Sequence, residues 1–307
     1  MTALGLIGGI TDPGRKRRRN EDAYVIEPPL FAVADGMGGA QAGEVASQLA
    51  ASALRGANAD EPGGLERVGA LIQQANRLIY DRASTDPTAS GMGTTLTVAL
   101  VEGMTVAIGH VGDSRAYLVR DEQMEQLTED HSLVNELLKT GKLSEEEAQV
   151  HPQRSVITRA VGTDPDVDVD GFTIEAEEGD VFLICSDGLS DMVEDEEILE
   201  LVHSNRDDLD KAVKSLVTAA NRGGGEDNIT AVAFRISAEA PAANLEDTVA
   251  MPALTMDGDE PDEQTREQVQ EPEPAVPAAD ARRVRLVLLG LILLLIVAGV
   301  VIWGLSR

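Results

Sequence analysis

The sequence predicts an α+β domain, an antiparallel sheet core covered by pairs of helices, followed by a linker and one C-terminal membrane-spanning helix. Three observations carry this. Two consecutive stretches with apolar residues at 3.6 spacing precede a group of short β-branched runs, and a second helical pair precedes one last strand. Helices gathered in pairs between groups of strands argue against strict βαβ alternation. Finally, an uncharged run of 20 residues, Leu286 to Leu305, is long enough at about 1.5 Å per helical residue to span roughly 30 Å.

Taken in order, the apolar stretch Leu4–Ile10 has no basic residue before it and a basic cluster, Arg15–Arg19, after it, so it does not read as a cleaved export signal. A short extended run follows Asp22, and Leu30–Ala34 is apolar throughout. The first helical pair is Gln41–Arg55 and Leu65–Arg82. Strands are expected at Thr94–Val101, Thr105–Val111 and Ala116–Val119. A polar, helix-prone insert covers about 132–149. Strands near Val167–Ile174 and Val181–Cys185 come next, then helices near Glu196–His203 and Leu209–Asn221, and a last strand, Ile229–Ile236.

Residues 238–281 carry 12 acids against the single Arg266, and 6 of the 13 prolines, with little that could pack; they read as a disordered linker. Its threonines Thr248, Thr255 and Thr265 are exposed candidates for phosphorylation. Arg282, Arg283 and Arg285 lie on the linker side of the apolar run, which places everything before it in the cytoplasm by the positive-inside bias. The expected organisation is a domain at 1–237, a linker at 238–281, and a basic flank with a transmembrane helix at 282–307, single-pass in the cell membrane.

Composition excludes several function classes. With 25 Lys and Arg against 54 Asp and Glu the net charge is −29, so nucleic acid phosphates would repel the chain. The single cysteine, Cys185, rules out an internal disulfide framework or a cysteine metal cage. It does not suit a cysteine phosphatase either. That nucleophile loop needs an arginine six residues on, and position 191 is Asp191. No GxxxxGK[ST] or GxGxxG loop occurs. Asp166, Asp168, Asp170, Gly171 and Glu177 match a calcium-loop spacing, but the near-alternation of Val167, Val169, Phe172 and Ile174 reads as a strand where a helix would be needed.

Aspartates stand at four strand ends: Asp22, Asp35, Asp187 and Asp227. Hard oxygen donors without His or Cys neighbours suit Mg²⁺ or Mn²⁺. Any one of these aspartates alone reads better as turn chemistry, of which Asp-Gly is a common form. The surrounding words go further. TDPGRKRRRNED (Thr11–Asp22), ADGMGG (Ala34–Gly39), GTTL (Gly93–Leu96), GHVGDSRAYL (Gly109–Leu118), LTEDHSLV (Leu127–Val134), SVITRAVGT (Ser155–Thr163), CSDGLSD (Cys185–Asp191) and GEDNIT (Gly225–Thr230) occur in one chain and in this order. From about Leu6 to Ile236 the sequence closely resembles the bacterial branch of the PP2C-type metal-dependent Ser/Thr protein phosphatases.

That resemblance implies an α-β-β-α sandwich of two antiparallel sheets flanked by helix pairs. It also implies hydrolysis of phosphoserine and phosphothreonine on proteins, by water activated between two Mn²⁺ or Mg²⁺ ions. Asp35 would bridge them, with Asp22 and the Gly36 carbonyl on one side and Asp187 and Asp227 on the other, and Glu21 holding bound waters. Asp113 would serve a third, weaker ion shared with Asp187, completed by a backbone carbonyl for which Ser155 is the candidate. Arg17 matches the phosphate-clamping arginine, since a guanidinium forks onto two phosphate oxygens; a generic basic patch is the rival reading of Arg15–Arg19. A flap at about 132–156 would help select substrates. Met37 stands where eukaryotic relatives have a histidine proposed as general acid, and a thioether donates no proton.

The expected partners are phosphorylated proteins near the membrane, membrane Ser/Thr kinases among them. A phosphatase dedicated to a phosphoserine regulator of transcription and a non-enzymatic phosphoprotein binder are the alternatives, and the full set of four aspartates speaks against the binder.

Overall fold

The structure is a computed structural model describing residues 4–38, 42–55, 63–149 and 151–237. The expected linker, its threonines and the expected span at 286–305 lie outside these residues. Among the described residues no helix is long and apolar enough to cross a membrane.

Among the described residues, eleven strands form two antiparallel sheets. The first runs in the order β1 (Leu4–Asp12), β11 (Ile229–Ile236), β10 (Val181–Cys185), β7 (Arg115–Arg120), β8 (Gln123–Gln126). The second runs β2 (Asp22–Glu27), β3 (Leu30–Met37), β5 (Leu96–Glu102), β6 (Thr105–Val111), β9 (Asp170–Glu175), with the short β4 (Gly93–Thr94) on the end of β3. Helices α1 (Ala42–Arg55) and α2 (Gly64–Thr85) cover the second sheet. The first is covered by α5 (Asp187–Ser190), α6 (Asp195–Ser204) and α7 (Leu209–Gly223).

Three apolar layers follow from the sequence pattern. β5 and β6 are buried almost throughout and read as continuous apolar runs, because each is covered on both faces. Between the sheets, Phe31, Phe234 and Phe182 stack with centroids 4.2 and 5.2 Å apart, amid Val33, Ile108 and Val232. So a chain with 3% aromatics places all four of its phenylalanines at the seam, Phe172 packing against its rim. Outside it, Val68, Leu71, Ile72, Ala75 and Ile79 of α2 and Val213, Leu216 and Val217 of α7 recur three and four residues apart and close the two outer layers.

The insert expected to be helix-prone holds α3 (Leu133–Lys139) and α4 (Glu145–Gln149). Ser132 caps the first through its hydroxyl, which accepts from Asn135 N–H at 3.3 Å. Ser144 and Glu147 form a reciprocal capping box on the second. The calcium-loop spacing is refuted in place: Asp170 opens β9 and is held by Arg159 and His131.

Candidate active site

Antiparallel pairing brings the expected aspartates to one end of both sheets. Asp22 and Asp35 are register partners across β2 and β3. Asp113 lies in the turn joining β6 to β7, Asp187 opens α5 directly after β10, and Asp227 precedes β11. The centre therefore draws carboxylates from both sheets.

Burial and mutual repulsion define its electrostatics. Burial pushes the Asp35 carboxyl well above the carboxylate range, and the neighbouring Asp22, Asp187, Asp113 and Asp227 add to it. Asp187 is raised in the same way, by burial first and then by Asp113, Asp191 and Asp227. Burial raises Asp22 to about 6 and Asp113 to about 7, and it raises Glu21 as well.

Asp22 and Asp35 are held from behind. Asp22 Oδ2 accepts from the hydroxyls of Thr230 at 2.6 Å and Ser186 at 2.9 Å, which leaves Oδ1 buried without a hydrogen-bond partner. Asp187 Oδ1 is orphaned in the same way. The Asp35 backbone is pinned on both sides: its N–H donates to Thr95 Oγ1 at 2.9 Å, and its carbonyl accepts from Thr95 N–H and Thr94 Oγ1, each at 2.8 Å. Thr95 Oγ1 in turn meets Ser114 Oγ at 2.8 Å, linking Asp35 to the Asp113 turn. Ser186, Thr230, Thr95 and Asn228 were not singled out by sequence reasoning. All four lie inside the quoted words, yet spacing alone does not distinguish a ligand from the group that orients it.

Arg17 is 54% exposed, and its Nη2 donates to Asp227 Oδ2 at 2.6 Å. Glu21 approaches the start of α1, where a Cβ on Gly43 would collide with Glu21 Oε2 and stand 2.6 Å from the Gly36 carbonyl. Ser155 lines a cavity of about 730 Å³ together with Asp113, Asp187 and Asp191, beneath the α3–α4 insert. Arg154 of that insert approaches Asp191 at 3.8 Å and Glu226 at 3.6 Å. His110 and His131 are committed elsewhere. His110 bonds Thr97 and the Glu129 carbonyl, while His131 accepts from Gly112 N–H.

Among the described residues no group of three His, Cys, Asp or Glu side chains stands ready to hold a metal ion as they lie. The donor chemistry nonetheless fits a hard divalent cation. Two buried carboxylate oxygens, Asp22 Oδ1 and Asp187 Oδ1, lack a hydrogen-bond partner, and the acids around them, Asp35, Asp113 and Asp227, offer oxygen donors.

A family model for protein phosphatase 2C matches residues 15–225. The chain belongs to the protein phosphatase 2C family. The described domain is thus a protein phosphatase 2C domain. It is 44% identical over 224 residues to the serine/threonine protein phosphatase PstP of Mycobacterium tuberculosis, across 72% of this chain and 43% of that protein. The chain therefore spans under half the length of this mycobacterial phosphatase. Against the serine/threonine phosphatase stp of Listeria monocytogenes it is 43% identical, across 72% of this chain and 91% of the relative. A crystal structure of the M. tuberculosis phosphatase superposes with a TM-score of 0.72 at 42% identity, covering 76% of this chain and 98% of that one. A second, of the PstP catalytic domain with two manganese ions, gives 0.70 at 40% identity, covering 76% and 98%. The protein phosphatase 2C fold accounts for both sheets and both helical layers described above.

Proposed function

We propose that this protein removes phosphate from phosphoserine and phosphothreonine on proteins at the cytoplasmic face of a membrane, using Mn²⁺ or Mg²⁺ and opposing Ser/Thr protein kinases. The observation that carries the metal dependence is the pair of orphaned oxygens, Asp22 Oδ1 and Asp187 Oδ1, inside a carboxylate cluster drawn from both sheets. Asp22, Asp35 and the Gly36 carbonyl would hold one ion, with Glu21 holding its bound waters; Asp35, Asp187 and Asp227 would hold the other. Asp113, with Asp187 and the Ser155 carbonyl, would hold a third, weaker one. When bound, such ions lower the pKa of water and neutralise charge on the phosphoryl group.

The chain's own residues supply the rest. The hydroxyls of Ser186 and Thr230 turn Asp22 so that its free oxygen faces the centre. Arg17, exchanging Asp227 for substrate, forks onto two phosphate oxygens. Met37 contributes no proton, so protonation of the leaving group falls to water or is spared by leaving groups of low pKa. The apolar run 286–305 tethers the domain and raises its effective concentration toward membrane-borne phosphoproteins.

Phosphate release from a phosphothreonine peptide tests the chemistry, with the full chain in detergent and residues 1–237 compared in Mn²⁺, in EDTA and as Asp35→Asn. Release that persists in EDTA or in the variant overturns the metal-dependent reading. Flotation with liposomes tests the tether: the full chain should float and 1–237 should not.

A further inference from the structure

Two segments more than 200 residues apart in sequence close on each other beside the carboxylates. The loop from Pro13 to Glu21 carries Arg17, and the segment Gly225–Asn228 carries Asp227. Arg15 N–H and Lys16 N–H both donate to the Gly225 carbonyl, at 2.8 and 3.1 Å. Gly14 has φ +71°, and a Cβ there would collide with the Asp227 carbonyl, so the loop lies directly on the segment. One side chain joins them. Asn228, 4% exposed, accepts from Glu21 N–H through Oδ1 at 2.7 Å and donates through Nδ2 to the carbonyls of Pro13 at 3.0 Å and Arg19 at 2.8 Å.

These three bonds fix the amide's orientation, since only Oδ1 can accept and only Nδ2 can donate twice. They also span the loop: one at its start, two at its end, with Arg17 between. The Asn228 backbone N–H meanwhile donates to Asp227 Oδ1 at 2.8 Å, while Arg17 holds Asp227 Oδ2. The residue that seats the arginine loop is thus fastened to the same carboxylate the arginine leans on.

We infer that Asn228 is a positioning residue for the phosphate clamp: its carboxamide closes the Pro13–Glu21 loop so that the Arg17 guanidinium is presented to the substrate phosphoryl group. This rests on Arg17 being the clamp, and the test separates the two. Its neighbours predict what substitution does. Asn228→Asp is nearly isosteric and keeps one acceptor, but it sets a carboxylate against two carbonyl oxygens. A packing role would tolerate that change; a hydrogen-bonding role would not.

The experiment measures hydrolysis of a phosphothreonine peptide by the full chain at saturating Mn²⁺, with inorganic phosphate as competing inhibitor. Asn228→Ala, Asn228→Asp, Arg17→Ala and the Arg17→Ala/Asn228→Ala double variant are compared with the parent. Amide hydrogen exchange over 12–22 is followed before metal is added. Asn228→Ala should raise KM and the phosphate inhibition constant about five- to tenfold while kcat falls less than about threefold. Exchange at the Glu21 amide should quicken, and Asn228→Asp should do at least as much harm to KM. With Arg17 already removed, Asn228→Ala should change KM by less than about twofold.

A parental KM in Asn228→Asp, or the same factor from Asn228→Ala with and without Arg17, overturns the inference. Unchanged KM in Arg17→Ala alone overturns the clamp, and the inference with it. Should Asn228→Ala fail to fold, Asn228→Ser, which keeps a short acceptor near Glu21 N–H, carries the same comparison.

Discussion

Asp22 and Asp35 face each other in register across β2 and β3, and burial first of all raises both carboxyls; Asp22 adds to the rise at Asp35, while a hydrogen bond with Asp35 offsets part of the rise at Asp22. Like charges directly opposite on paired strands are destabilising. A carboxyl whose folded pKa lies above its unfolded value gives stability that is complete at low pH and lost as pH rises through the folded value. For Asp22 and Asp113 that window runs from about 4 to about 6 and 7. His110, buried with its pKa lowered to about 4, acts in the opposite sense, losing stability as pH falls from 6.5.

A variant of one carboxyl isolates its share from that of the histidine. Metal-free Asp35→Asn should melt above the parent at pH 7.5, by on the order of 2 kcal/mol or about 5 °C, with a smaller gap at pH 5. Mn²⁺ should raise the melting temperature of the parent and leave the variant nearly unmoved. Scanning fluorimetry at the two pH values checks both.

Arg17 offers a different signature. Its ion pair with Asp227 is largely exposed, so Arg17→Ala should shift the melting temperature by no more than about 2 °C. KM for a phosphothreonine peptide should rise at least about tenfold. Arg17→Lys should restore little of it, because an ammonium lacks the planar fork. Steady-state kinetics on the three proteins decides.

Gly43 leaves the space that Glu21 and the Gly36 carbonyl share. Gly43→Ala should cut the Mn²⁺-induced rise in melting temperature by half or more while the circular dichroism of the metal-free protein is unchanged. Gly69 is the control. It lies in α2 with nothing within 4 Å of an added Cβ, and Gly69→Ala should stabilise by about 0.5–1 kcal/mol with metal binding intact.

Cys185 is fully buried in β10, and burial pushes its thiol up to about 12. The native enzyme should keep its activity after iodoacetamide at pH 7.5, with Cys185 recovered unmodified by mass spectrometry. Alkylation accompanied by loss of activity would return a cysteine mechanism to contention.

Most elements were legible because burial imposes a period. β6 and β10 match their expected spans, and α1, α2, α6 and α7 begin within one residue of theirs and end at most three residues away. β8 escaped because Gln123–Gln126 is polar and largely exposed, and the turn before it uses Asp121 and Glu122 at positive φ in place of glycine. Leu4–Ile10, read in the sequence only against an export signal, lies in the edge strand β1 (Leu4–Asp12). At the site, Asp22, Asp35, Asp187 and Asp227 could be read as candidates because carboxylates at strand ends are conspicuous, while Asp113 came only with the family resemblance. Ser186, Thr230 and Asn228 could not: their roles arise from contacts more than 40 residues apart, which no local spacing encodes.

The seam between the sheets carries one more consequence. Carboxylates contributed by both sheets make the centre a fastener as well as a workplace, so anything bound there stabilises the folded chain by mass action. A cell short of manganese or magnesium would then lose this phosphatase twice over, through idle molecules and through faster proteolysis of loosened ones. Under the proposed role, the phosphorylation it reverses would then follow metal supply on the timescale of protein turnover.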